Sequence, residues 1–283
     1  RPISLLLTRR GVVQEVLIGT EMVLSPTTVA KFRTGPRSLR GLRLIRTQLH
    51  DRPVTQEDLT DLAYLRLDLL GLLSVTEDGM PGTLYLAHLL PPSRGGALCE
   101  ILKPVPFHQC QLPFDEFIQE LEAGIQQAIK HHAVGSTAES AMLVSASTRS
   151  RAEQEDRLLE LADLAASAGV LVRDQMVQRI PAGHQRYLLG SGKLKEVLIQ
   201  TLHKGADMLI FDQTLTPAQA RAISEMTDIK VIDRTQLILD IFARRAHSRE
   251  GKVQVELAQL RYLLPRLSGH GTQLSRLGGG IGT

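Results

Sequence analysis

Between residues 141 and 245, apolar runs alternate with amphipathic stretches, and this alternation restricts the fold more than any other feature of the chain. "AMLVSAST" (141–148), "VLVRDQMVQRI" (170–180), "ADMLIFD" (206–212) and "IKVIDR" (229–234) read as strands. ADMLIFD lacks polar alternation over its core, the pattern of a strand buried on both faces. The stretches between them read as helices. "SRAEQEDRLLELADLAASAG" ends at Gly169, and a helix over 191–204 is closed by Gly205. "TPAQARAISEMT" carries Thr216 as N-cap, Pro217 at the first helical position and Gln219 completing a capping box. "TQLILDIFARRA" is the fourth helix. Such regularity predicts an open, mostly parallel sheet with right-handed crossovers.

The first half differs. "ISLLLTRRGVVQEVLIG" predicts a hairpin about Arg9-Arg10-Gly11, and "LRGLRLIRTQL" and "TLYLAHLL" two further strands. "TQEDLTDLAYLRLDLLGLL" reads as one helix from Thr55, with Leu59, Leu62, Leu65 and Leu69 on a face, and a further helix covers 113–130. The polar stretch "HHAVGSTAES" (131–140) separates the halves. The expected fold class is α/β in three parts: a mixed α/β extension over 1–135, a parallel α/β domain over 140–247, and over 248–283 a long helix, half of a helical hairpin, with a glycine-rich tip. No apolar run approaches the ~20 residues of a membrane span. Only two cysteines, Cys99 and Cys110, point to a reducing, cytoplasmic setting. A start at Arg1 and an end in a glycine-rich loop are what a piece of a longer protein would show.

"LLGSGKLKE" (188–196) raises the question of a phosphate loop. A P-loop, G-x-x-x-x-G-K-[ST], would need glycine where Tyr187 stands and Ser or Thr where Leu194 stands. The dinucleotide fingerprint fails at Lys195. What remains is a strand-to-helix turn with Ser191 as cap, and Lys193 and Lys195 within reach of an RNA phosphate. The strongest basic cluster lies further on, where Arg244, Arg245, Arg249, Lys252, Arg261, Arg266 and Arg276 face only Glu250 and Glu256. This is the electrostatic footprint of a phosphate-rich partner, running into a tip with Gly278, Gly279, Gly280 and Gly282. Val253, Leu257, Leu260, Leu264 and Leu267 form a heptad-like seam, which predicts a partner helix beyond Thr283 or packing on the sheet.

No catalytic or metal-binding set emerges. His88, Cys99, His108 and Cys110 match no zinc-ligand spacing and read as buried thiols with scattered histidines. Asp212 and Asp233, at strand C-termini where open α/β sheets place functional groups, each read as caps of the following turn. "RLIRTQLHDRPVTQEDL" (43–59) resembles the core of JAMM-type metalloproteases. Arg46 and Gln48 fall at the positions of the family's His pair, before Thr55 and Asp58, which implies a metal-free relative without activity.

"GADMLIFDQTLTPAQARAI", "VIDRTQLILDIFARRAHSREGKVQVELAQLRYLLPRL" and "SRLGGGIGT" resemble the N-terminal region of the HflX family. "RYLLGSGKLKE" matches that family's Gly-Lys-Gly-Lys element, with Ser191 in place of one lysine. The first half resembles the extension of some, notably cyanobacterial, members. The resemblance implies a monomeric, cytoplasmic, ribosome-associated GTPase of the stress response. Its basic helix and tip would bind large-subunit rRNA and dissociate stalled or idle ribosomes. GTP and magnesium would belong to a G domain after the glycine tip, so the present residues would need no cofactor and hydrolyse no GTP alone. Two other readings stay open: a stand-alone doubly wound enzyme that takes a phosphorylated substrate at Gly190–Lys193, and a helix-mediated protein–protein module.

Overall fold

The structure, a computed structural model, describes residues 1–19, 32, 39–91, 97–133, 139–181 and 186–267. The chain divides into two compact units, Arg1–Val134 and Gly135–Thr283.

In the first unit, β1 (Ile3–Thr8) and β2 (Val13–Ile18) form the expected antiparallel hairpin, and β3 (Leu42–Gln48) pairs with the other side of β1. Helix α1 (Gln56–Leu65) then carries the chain to β4 (Leu69–Val75), parallel to β3. β5 (Pro81–Leu89), β6 (Cys99–Ile101) and β7 (Val105–Pro106) complete the sheet, in the order β2-β1-β3-β4-β5-β6 with β7 also on β5. Helix α2 (Phe114–Ala133) contributes Ile118, Leu121 and Ile125 to the core.

The single helix expected over 55–73 is therefore a helix followed by a strand. Thr55 starts it through a reciprocal capping box with Asp58, but Arg66 turns left-handed (φ 53°) and stops it. Asp68 fixes the exit. Its amide donates to the Leu42 carbonyl at 2.8 Å, and its carboxylate accepts from the Gly41 amide at 2.8 Å and from Arg9 Nε at 2.5 Å. The leucines beyond then pair with β3 and β5 instead of completing a helical stripe.

Burial of Asp68 raises its carboxyl pKa above the usual aspartate range, outweighing the bond and charge of Arg9. A raised folded-state pKa stabilises the fold below the ordinary aspartate range, and that contribution is lost as pH rises through the folded value. Urea unfolding of Asp68→Asn is therefore expected to depend less steeply on pH above the ordinary aspartate range than that of the parent chain. Parallel pH profiles for the two would contradict this assignment.

The second unit is the parallel layer. β8 (Ser140–Ser147), β9 (Leu171–Arg179), β10 (Met208–Phe211) and β11 (Lys230–Asp233) lie in the order β11-β10-β8-β9, every pairing parallel. Between them run α3 (Arg151–Ser167), α4 (Ser191–His203) and α5 (Pro217–Met226), followed by α6 (Arg234–Arg245) and α7 (Arg249–Leu267). Ala141, Leu143, Met208, Ile210 and Ile232 pack with Leu158, Leu161 and Ala165 of α3 and Leu237 and Ile241 of α6. Alternate residues face the other way, where the Thr201 hydroxyl of α4 meets Met142 Sδ at 3.1 Å. Burial on both faces explains the continuous apolar runs. Among the described residues no helix is long and apolar enough to cross a membrane.

Candidate functional site

The C-terminal ends of β10 and β11 place two buried carboxylates, Asp212 and Asp233, side by side in the layer. Asp233 is the N-cap of α6, accepting from the Gln236 amide at 3.0 Å, as its position in the sequence predicts. Its other oxygen accepts from the Leu215 amide at 2.9 Å and from the Tyr262 hydroxyl. Burial, and then the bond to Asp233, push the Tyr262 phenol well above its ordinary pKa.

Asp212 departs from the expectation of a cap. Oδ2 accepts from Arg157 Nε at 2.7 Å and from Gln213 at 3.0 Å. Oδ1 accepts from Arg157 Nη2 at 3.2 Å and Arg234 Nη1 at 3.1 Å. Arg234 also reaches Glu160 at 2.6 Å, which lowers the Glu160 pKa through that hydrogen bond. A carboxylate with about four acceptor positions, all filled, has none left to serve as a general base. Here two guanidinium groups occupy the oxygens that a cap would use. The arginines, at positions 157 and 234, lie too far along the sequence for spacing alone to pair them with it.

At the Gly190–Lys193 turn, Gly190 rather than Ser191 occupies the N-cap position, with no side-chain cap. A Cβ on either glycine would meet nothing within 4 Å, and neither has a positive φ; the left-handed residue is Leu188 (φ 64°). The glycines are therefore not required by the turn's geometry, and the expected Ser191 cap is replaced by Gly190. Lys193 pairs with Glu196 at 2.8 Å, and Lys195 is half-buried. A groove of about 460 Å³ lies elsewhere, lined by Arg186, Thr216, Arg221 and Glu225 among others.

The basic cluster separates into two classes. Arg245, Arg249, Lys252 and Arg261 are exposed and form no ion pair among the described residues. Arg244 and Arg245 end α6, where the helix dipole favours cations, and Arg244 donates to the Ala168 carbonyl at 2.7 Å. Ser248 starts α7, its hydroxyl accepting from the Gly251 amide at 3.0 Å. Arg266, expected on the RNA face, is instead buried. It reaches the Leu215 carbonyl at 2.5 Å, lies 3.5 Å from Asp233, and stacks 3.6 Å from the Tyr262 ring centre. Proximity in sequence to a basic run gave no sign that α7 turns this arginine inward. Arg276, Gly278, Gly279, Gly280 and Gly282 lie outside the described residues.

The seam has one observable side. Val253, Leu257, Leu260 and Leu264 are all exposed, while Val255, Ala258, Gln259, Tyr262, Leu263 and Arg266 are at least half-buried. Of the two expectations for the seam, packing on the sheet is therefore excluded for these four residues. α7 docks by its other face.

In the first unit, Arg46 and Gln48 do not converge on a cation. Arg46 Nη1 lies 3.3 Å from Asp58 Oδ1, and Gln48 donates to the Arg52 carbonyl at 2.8 Å. The other Asp58 oxygen accepts from the Thr55 amide and hydroxyl. His88 contacts the Leu89 carbonyl and the edge of Phe117, and Cys99 the Leu59 carbonyl. Cys99 and Cys110 are half-buried, and burial raises the Cys99 thiol to about 11. Among the described residues no three His, Cys, Asp or Glu side chains are grouped to hold a metal ion.

Comparison with known proteins finds similarity over the second unit. A model of the GTP-binding GTPase N-terminal region matches residues 155–243, and one of the GTP-binding GTPase middle region matches 245–283. The GTPase HflX of Caldanaerobacter subterraneus is 48% identical over 131 residues, 46% of this chain and 31% of that protein. GTPase HflX of Alkalihalophilus pseudofirmus is 50% identical over 131 residues, with the same shares. GTPase HflX of Escherichia coli is 44% identical over 144 residues, 51% of this chain and 34% of that protein. The chain thus spans about a third of the length of these curated relatives. The crystal structure of a GTP-binding protein from Sulfolobus solfataricus in complex with GDP is 26% identical, covering 46% of this chain and 38% of that one, at a TM-score of 0.36. Both family models match within the second unit, so residues 155–283 are similar to the N-terminal and middle regions of GTP-binding GTPases, and the curated relatives are HflX GTPases.

Proposed function

We propose that the second unit is the RNA-docking region of an HflX-type GTPase, which binds the large ribosomal subunit and promotes dissociation of stalled or idle ribosomes. The observation that carries this reading is the set of exposed cations Arg245, Arg249, Lys252 and Arg261, unpaired among the described residues, at the end of α6 and along α7. Their charges are available to RNA phosphate, whereas the carboxylates at the strand ends are saturated by protein donors. The glycine tip (Gly278, Gly279, Gly280 and Gly282) and Arg276 would extend the contact, with Arg244, Lys193 and Lys195 as secondary partners. GTP and magnesium belong to a G domain of the parent protein, which acts in the cytoplasm. The first unit is an added domain whose role the family does not supply.

The test is cosedimentation of the chain with purified large subunits across a salt series. Four phosphate contacts give a log–log slope of about −3 to −4. An affinity unchanged between about 50 and 200 mM salt would overturn the electrostatic docking.

A further inference from the structure

Helix α7 leaves Val253, Leu257, Leu260 and Leu264 exposed and docks by a mixed face that carries Val255, Ala258, Gln259, Tyr262, Leu263 and Arg266. Polar side chains contribute to the attachment. Gln259 donates to Asp240 at 3.0 Å, Tyr262 donates to Asp233, and Arg266 reaches Leu215 and Asp233. The apolar residues on the docked side, Val255, Ala258 and Leu263, are only half-buried. Asp233 is the common point, since it also holds the Leu215 amide before α5 and the Gln236 amide in α6. Loss of α7 would leave those two backbone bonds in place and open the remaining lone pairs to water. Among the described residues, the apolar cluster formed by the strands with α3 and α6 includes no side chain of α7.

We propose that Asp233 is a polar latch: α7 is held against the parallel layer by Tyr262 and Arg266, and releases as one body while the layer stays folded. Hydrogen bonds to a buried carboxylate give a defined docking angle, and the groups that make them bond to water once released. Release would carry Arg249, Lys252 and Arg261 with the helix, so the latch fixes where those cations point whatever they bind. Asp233 thus acts as a positioning residue.

Hydrogen–deuterium exchange on the whole chain tests this. An undocked helix of this length is only marginally stable in water, so amides of 252–267 are expected to exchange together on release, and faster than those of β8, β10 and β11. Tyr262→Phe, which removes one hydroxyl, raises the α7 rates about tenfold and leaves the strand rates unchanged, and Arg266→Leu acts in the same direction. Exchange of α7 at the rate of the strands in the parent chain would overturn the latch, as would Tyr262→Phe leaving α7 protected. A variant in which strand rates rise equally with those of α7 would also count against it, because it would make Tyr262 part of the common core.

Discussion

Asp212→Ala is expected to lower the unfolding free energy of the second unit by about 3–5 kcal/mol, the usual cost of removing one partner from a buried ion pair. The side chain is fully buried and accepts four hydrogen bonds, three of them from Arg157 and Arg234. Alanine leaves Arg234, whose side chain is 18% exposed, with Glu160 as its remaining carboxylate. Arg157, 36% exposed, loses a bidentate partner and turns to solvent, which places the loss toward the lower end of the range. Urea denaturation followed by far-ultraviolet circular dichroism measures it. A loss under about 1 kcal/mol would mean that the two arginines are satisfied without Asp212.

Simultaneous replacement of Arg245, Arg249, Lys252 and Arg261 by alanine is expected to weaken binding to large ribosomal subunits by about a hundredfold, roughly threefold per phosphate contact, and to flatten the salt slope by about 3 to 4. All four side chains are exposed, so the fold should tolerate the change, and an unaltered thermal unfolding curve serves as the check. Arg151→Ala is the control, because that exposed arginine already pairs with Glu155 at 2.7 Å and lies outside the cluster. Wild-type affinity in the quadruple variant would place the RNA face elsewhere, while equal losses in the control would show only a response to total charge.

The parallel layer was legible because both its signals are local. Apolar runs mark buried strands, and Thr216-Pro217-x-Gln219 forms a capping box that the structure contains. The first unit was harder to read. Its leucine-rich run from Leu59 to Leu73 suits a helix or a buried strand equally, and the boundary depends on Asp68 meeting Gly41 and Arg9, partners distant in sequence. The same limit governs the site. The basic cluster was visible as a count of charges, but which arginines reach solvent follows from the rotation of α7, and that is set by Asp233. Arg266 therefore left the surface and Arg261 kept it, though both stand in α7. The exposed heptad positions were readable as a seam, but not the side to which the seam would turn.

The pairing of Asp212 with two arginines on either side of it in sequence also orders events during synthesis. A nascent chain releases Asp212 55 residues after Arg157 and 22 residues before Arg234. At roughly 5–20 residues per second, that carboxylate waits about one to four seconds with only one of its two cations made. Over the same interval β10 has β8 to pair with, while β11, its other neighbour, is still being made. The half-built layer therefore presents an open strand edge beside an incompletely neutralised acid, and the arrival of Arg234 closes both at once.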